Sequence, residues 1–195
     1  IRDRAKTAEK YLREQMSLAR RDLAYLESVL QEIQQAETEQ DFLDIRGEMS
    51  DAGFIRKQGK KVLQRLSKPR EFKTSGGFRV LVGRNNRQND ELTFRLARKD
   101  DIWCHASKVH GSHVIISCGG TTPPDDTVTQ AAQLAAYYAE TGGGQNIPVD
   151  VTAVKQVKKI PNGKPGMVIY HTYRTVIANP YPDIVVDALN AETKE

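Results

Sequence analysis

Cys104, His105, His110 and His113 place one thiol and three imidazoles in the pattern C-H-x4-H-x2-H. Zinc sites draw their ligands in closely spaced pairs on two separate arms, whereas adjacent Cys104 and His105 on a strand point to opposite faces. The chain offers no second arm, so no metal and no cofactor is expected. Cys104 beside His105, and Ser112 beside His113, are residue types that covalent catalysts use. Yet there is no G-x-S-x-G elbow, and Cys104 sits in an apolar, β-prone setting. Asp100 and Asp101 are neighbours in sequence and diverge instead of sharing a substrate. No catalytic residue is expected. The glycine clusters at 142–144 and 162–166 lack Walker spacing and do not open a helix, so both read as turns.

The remaining chemistry lies in Arg84-Asn85-Asn86-Arg87-Gln88-Asn89, six polar donors in a row. Arginine forks onto phosphates, Asn and Gln can read unpaired base edges, and Trp103, His105 and His113 offer stacking faces. The same residues also describe a polar hairpin turn beside a core tryptophan. Residue types alone leave both readings open, although the usual burial of tryptophan favours the core for Trp103.

The elements that must position these groups follow from periodicity. Residues 2–36 lack Gly and Pro, and Leu12, Met16, Ala19, Leu23, Leu26, Leu30 and Ile33 recur at spacings of 4 and 3. This predicts a coiled-coil seam. A shorter set, Phe42, Ile45, Met49 and Ala52, predicts a returning helix that ends near Gly53, hence an antiparallel hairpin. Strands are expected at 71–74 and 78–82 around a Ser75-Gly76-Gly77 turn, then at 92–96, 102–104, 113–117, 149–157 and 168–177. A helix is expected over 128–140, with Asp125, Asp126 or Thr127 as N-cap and a face of small residues lying close to a sheet. The fold class is α+β: a mixed, largely antiparallel sheet with one main packed helix, preceded by an antiparallel coiled-coil hairpin. The expected divisions are a partial coiled-coil arm at 1–54, a basic linker at 55–69, a globular domain at 70–180 and a tail at 181–195.

At 195 residues and 38% hydrophobic, the chain can bury one sizeable core and carry an appendage. Its apolar runs, such as 114–116, are too short for a transmembrane helix, so no membrane partner is expected. The charged start is not a secretory signal, and the absence of an initial Met reads as a piece of a longer cytoplasmic protein. Two cysteines make no disulfide framework, which fits a reducing compartment. The net charge of +4 conceals segregation: residues 56–99 carry 14 Lys/Arg against 3 Asp/Glu, while the segments on either side are net acidic. Clustered cations of this kind suit a polyanion, through counterion release.

The runs Gly83-Arg84-Asn85-Asn86-Arg87-Gln88-Asn89-Asp90, Ala97-Arg98-Lys99-Asp100-Asp101-Ile102-Trp103 and Gly111-Ser112-His113-Val114 resemble the signature of the NFACT-R domain. That domain occurs in the RqcH/NEMF family of ribosome-associated quality-control factors, long labelled fibronectin-binding-protein-like in bacteria. The likeness extends through 131–138, 148–152, 154–159 and 164–168, and the heptads resemble the family's coiled-coil arm. This resemblance makes the domain at 70–180 an RNA-binding one. The chain departs from the family pattern at Cys104, 108–110, 142–145 and Val151 without disturbing the strand pattern.

The resemblance implies a non-catalytic module that binds obstructed large ribosomal subunits and recruits tRNA, alanyl-tRNA in bacteria, for C-terminal tailing of stalled chains. Its implied partners are tRNA, rRNA and stalk-base proteins of the large subunit, and the missing N-terminal domain. A second copy could pair along the unfilled seam. Phosphate contacts are expected from Arg84, Arg87, Arg98, Lys99 and Lys108, aided by Lys155, Lys158 and Lys159. Asn85, Asn86, Gln88 and Asn89 are expected base or ribose readers. Trp103, His105 and His113 would shape or stack the site, while Asp100 and Asp101 would orient neighbouring basic groups or cap the turn. The alternative from another class is a cell-surface fibronectin-binding adhesion module.

Overall fold

The structure, a computed structural model, describes residues 2–56, 67–141 and 144–180. Most of the expected linker and the whole expected tail therefore lie outside the described residues. The chain opens with α1 (Arg2–Gln35) and α2 (Glu39–Asp51), a helical hairpin turned over three residues. Thr38 starts α2 with a capping box: its hydroxyl accepts from the Asp41 N–H, and the Asp41 carboxylate accepts from the Thr38 N–H.

The hairpin does not pack along the expected seam. Leu12, Met16, Leu23, Leu30 and Ile33 are exposed, as is Phe42. The stripe that is buried runs through Tyr25 and Val29, against Ile45, with Met49, Ala52 and Phe54 around it. The reason is polar. Glu32 and Glu48 are buried beside this stripe, and Glu48 accepts from Asn86 and Arg87 of the following domain, so the domain decides which face of α1 is covered.

The strands of that domain are β1 (Arg70–Lys73), β2 (Arg79–Val82), β3 (Ile102–Ala106), β4 (Val114–Ser117), β5 (Ile147–Ala153), β6 (Lys158–Lys159), β7 (Val168–Ile169) and β8 (Arg174–Ala178). Six of them form one sheet in the order β1-β2-β4-β3-β5-β8, while β6 and β7 pair as a separate ribbon. The β1–β2 hairpin forms around the predicted Ser75-Gly76-Gly77 turn, where the Gly77 N–H donates to the Thr74 carbonyl. Every strand pair among the described residues is antiparallel.

Two cores flank the sheet because successive residues alternate faces. On one side Val80, Val82, Cys104, Val114 and Ile116 pack beneath α4 (Asp125–Tyr137), whose Ala131, Ala132, Ala135 and Ala136 let the helix lie close. On the other side Leu81, Trp103 and Ile115 pack with Leu92, Val154 and Val157. Cys104 and Trp103 thus enter opposite cores, as their adjacency on a strand requires. α4 begins earlier than expected: Pro124 is its N-cap with no side-chain bond, and Asp125 and Asp126 lie in the first turn, where the helix dipole favours acids.

Three further expectations are corrected. The segment 92–96 is not a strand but a π-helical turn continuing α3 (Asn86–Glu91). Leu92 and Phe94 join the Trp103 core while Leu96 is exposed, so the apolar alternation does not mark one face. The strand expected over 149–157 yields to a 3-10 turn, Val154–Gln156, and that over 168–177 splits into β7 and β8. The split falls where the Thr172 carbonyl turns to accept the Thr152 hydroxyl at 2.5 Å.

Candidate nucleic-acid interface

The polar signature divides into three places. Its first part, 84–89, is a clasp on the arm. Asn85 caps α3, accepting from the Gln88 N–H at 2.9 Å. The Gln88 amide spans from the Arg84 N–H to the Ser67 carbonyl. Asn86 donates to Ser28 Oγ at 2.9 Å and Glu48 Oε1 at 3.2 Å, and Asn89 accepts from the His113 N–H at 3.0 Å. All four of these amide residues are buried. Arg84 donates to Glu37 at 3.0 Å, to Asp41 at 3.3 Å and to the Lys68 carbonyl, and Arg87 pairs with Asp51. In this arrangement, the base or ribose edges expected to meet Asn85, Asn86, Gln88 and Asn89 have no access. The same buried amides also displace the expected hairpin turn.

Two glycines make the clasp possible. A Cβ on Gly83 would lie 2.0 Å from Asn89 Oδ1, and one on Gly166, whose φ is +79°, would lie 2.3 Å from Asn86 Oδ1. Around Asn86 the carboxyls are unusual. Glu48 accepts from the Tyr25 hydroxyl, the Asn86 amide and the Arg87 N–H, yet burial pushes its carboxyl above the ordinary range. Burial, with the nearby Glu48 charge, also pushes Glu32 well up, and neither Glu32 oxygen finds a hydrogen-bond partner among the described residues. Asp41 behaves oppositely. Burial opposes its charge, but the Glu37 and Thr38 N–H groups and Arg84 outweigh this and hold it below the usual carboxylate range.

The second place is an open basic face. Asp101 closes the turn before β3, accepting from the Arg98 N–H and the Cys118 N–H, both at 2.8 Å. This turn meets the 3-10 turn through two backbone bonds, Val154 to Asp101 and Lys155 to Lys99. Arg98 and Lys99 are thereby brought to Lys155, which pairs with Asp100 at 3.1 Å. Lys158 and Lys159 follow on β6. Lys159 bonds Asp90 at 2.8 Å and lies over the Phe94 ring. All five cations are exposed.

The third place is a cleft between α1 and the sheet, about 830 Å³ in volume, into which Lys108, His105 and His113 face. Trp103 lies wholly buried behind it, stacked on His105 at 5.5 Å and against Tyr170 at 4.8 Å. His113 bonds Thr93 Oγ1 through Nδ1 and is pushed down to about 3 by burial and His105. Burial lowers His105 as well, so both rings are neutral near pH 7. Cys104, on the other face, has its thiol raised to about 12 by burial, the opposite of an activated nucleophile. No group of three or more metal-binding side chains converges among the described residues. Nor is any described helix long and apolar enough to cross a membrane.

Sequence reasoning missed Glu32, Glu48, Arg20, Arg21 and Tyr170. For the clasp itself a signal existed. Asn85 followed by Gln88 three residues later is a helix-start pattern, and a helix there would have forced the question of what the helix packs against.

Comparison with known proteins agrees with this geometry. Residues 68–172 match the family described as the NFACT protein RNA binding domain, and residues 2–68 match the NFACT N-terminal and middle domains. The Rqc2 homolog RqcH of Bacillus subtilis is 36% identical over 94% of this chain and 32% of its own length. The Streptococcus pneumoniae homolog is 40% identical over 90% of this chain, again covering 32% of its own. The chain thus spans about a third of the length of these relatives. A solved structure, the C-terminal part of the fibronectin/fibrinogen-binding protein from Streptococcus suis, superposes with a TM-score of 0.88 at 34% identity, covering 94% of this chain and 73% of that one. These matches place the chain in the RqcH/NEMF family, with an NFACT-R domain following the helical hairpin.

Proposed function

We propose that this chain is the RNA-binding portion of a cytoplasmic ribosome-associated quality-control factor that engages obstructed large subunits and recruits tRNA for C-terminal tailing. In bacteria the tRNA would be alanyl-tRNA. The supporting observation is the open basic face, where turns 55 residues apart in sequence bring Arg98 and Lys99 beside Lys155, within a domain matched as RNA-binding. Lys158 and Lys159 extend it. These groups suit phosphate contacts, which position an RNA without reading its sequence. The chain is non-catalytic in this reading, and peptide transfer remains the ribosome's chemistry. Arg84 and Arg87 contribute by holding the arm, so that arm and RNA face meet one particle in fixed relation. Stalk-base proteins and rRNA are the proposed contacts of the arm.

The test is sedimentation of the full-length protein on a sucrose gradient. Co-migration with large subunits, lost on Arg98→Ala plus Lys99→Ala, is expected. Surface exposure on cells without subunit association would instead favour an adhesion role, the property for which the Streptococcus suis protein is named.

A further inference from the structure

The cleft between α1 and the sheet lies apart from the basic face, and the clasp residues Ser28 and Asn86 form part of its wall. We propose that it is a composite site for an unpaired RNA segment, with α1 supplying phosphate contacts and the domain supplying ring faces. This rests on the RNA-binding reading and deepens it.

The charge of the walls is one-sided. Arg13, Arg20, Arg21 and Lys108 line the cleft, and no carboxylate does so among the described residues. Arg13 is bridged to Glu9, but the side chains of Arg20, Arg21 and Lys108 are exposed and hold no ion pair or hydrogen bond among the described residues. Lys108 has a left-handed backbone at φ 59°, a conformation that a side-chain-bearing residue seldom holds. Strain of that kind gathers at ligand sites. Outside the lining, Glu27 lies 3.5 Å from His110, and Asp22 pairs with Lys164 at 3.7 Å.

The floor is aromatic, with Tyr170 tilted by 57° and His113 by 81° to the buried Trp103. His105 lies nearly parallel to Trp103, with 11° between the planes, and Tyr170 completes the group. Both outer rings keep part of their surface open. Nucleobases stack on such faces with little regard to sequence. The volume, about 830 Å³, is that of a cleft for small groups, a size that suits splayed nucleotides. A lining with cations and no carboxylate among the described residues favours a polyanion over a peptide or another domain of the same protein. The site also needs the clasp, because Asn86 and Ser28 line its inner end and their mutual bond holds α1 in place.

The experiment uses the 195-residue chain with two probes, an unstructured oligouridylate and a blunt RNA duplex. Affinity is read by anisotropy, and entry into the cleft by photo-crosslinking to Tyr170, whose ring lines it. Oligouridylate should crosslink at Tyr170 and the duplex should not. Arg20→Ala with Arg21→Ala and Lys108→Ala should weaken oligouridylate roughly tenfold at moderate salt, since three phosphate contacts are lost, and leave duplex binding unchanged. Arg98→Ala with Lys99→Ala should weaken both probes. If the triple variant binds oligouridylate like the parent, the cleft inference is overturned while RNA binding by the domain stands. If the parent binds neither probe, both fall. Protection of Arg20 and Arg21 from arginine-modifying reagents in the full-length protein without RNA would assign the cleft to another part of that protein, again overturning the inference.

Discussion

Between Gly83 and Asp101 the chain uses the same residue types in two different ways. Arg84 and Arg87 are paired with Glu37, Asp41 and Asp51 of the arm, and the amides between and beside them are buried. Arg98 and Lys99 stand in solvent on a turn that Asp101 closes from beneath. The difference is set by what lies opposite. The acidic arm faces the first group and neutralises it; beside the second, Asp100 pairs with Lys155 and Asp90 with Lys159, while no ion pair of Arg98 or Lys99 is found among the described residues. A basic, polar signature can therefore be half internal fastening and half outward surface, and only the outward half can gain from counterion release.

The comparison breaks most readily at the clasp. Glu48→Ala should cost about 3 kcal/mol in urea denaturation, because the Tyr25 hydroxyl, the Asn86 amide and the Arg87 N–H lose their shared acceptor while Tyr25 and Asn86 stay buried. Asn89→Ala should cost about 1–3 kcal/mol by leaving the His113 N–H unpaired inside the domain.

Glu32→Gln sharpens the same region through pH. The folded carboxyl is raised above its unfolded value, so the folded state binds more protons and stability falls as pH rises from the ordinary glutamate range through the folded value. The variant should be more stable than the parent at neutral pH and should show a smaller decline, the remainder coming from the raised Glu48, as thermal melts across pH would show. A decline of equal size in the variant would remove Glu32 as its source.

The smallest stability effect belongs to the basic face. Arg98→Ala with Lys99→Ala should change stability by no more than about 0.5 kcal/mol, since both side chains are exposed. It should nevertheless lower the salt dependence of tRNA affinity by about one to two counterions.

Much of the domain was legible in the sequence because its signals are local. The Ser75-Gly76-Gly77 turn, the small-residue face of α4 and the opposite burial of Trp103 and Cys104 follow from turn chemistry and from a period of two. The expectations that failed depend on partners far along the chain. The heptad seam is real as a pattern, but the face of α1 that packs was decided by polar groups reached from residue 86. Likewise, 92–96 alternates like a strand, yet its Thr93 hydroxyl is anchored to His113 and the segment winds on as a wide helical turn. Six polar residues in a row read as solvent-facing because nothing local says that a second helix will cover them. The same limit hid the cleft: Arg20 and Arg21 read as an ordinary helix surface until α1 is seen lying across His105 and Tyr170.

The division of the signature is tested most directly by measuring, side by side, tRNA affinity against salt and thermal stability for Asn86→Ala with Asn89→Ala and for Arg98→Ala with Lys99→Ala. The amide pair is expected to lower the melting temperature and keep the parent's salt slope, while the cationic pair flattens the slope and melts like the parent. A flattened slope from the amide pair at unchanged stability would contradict that division.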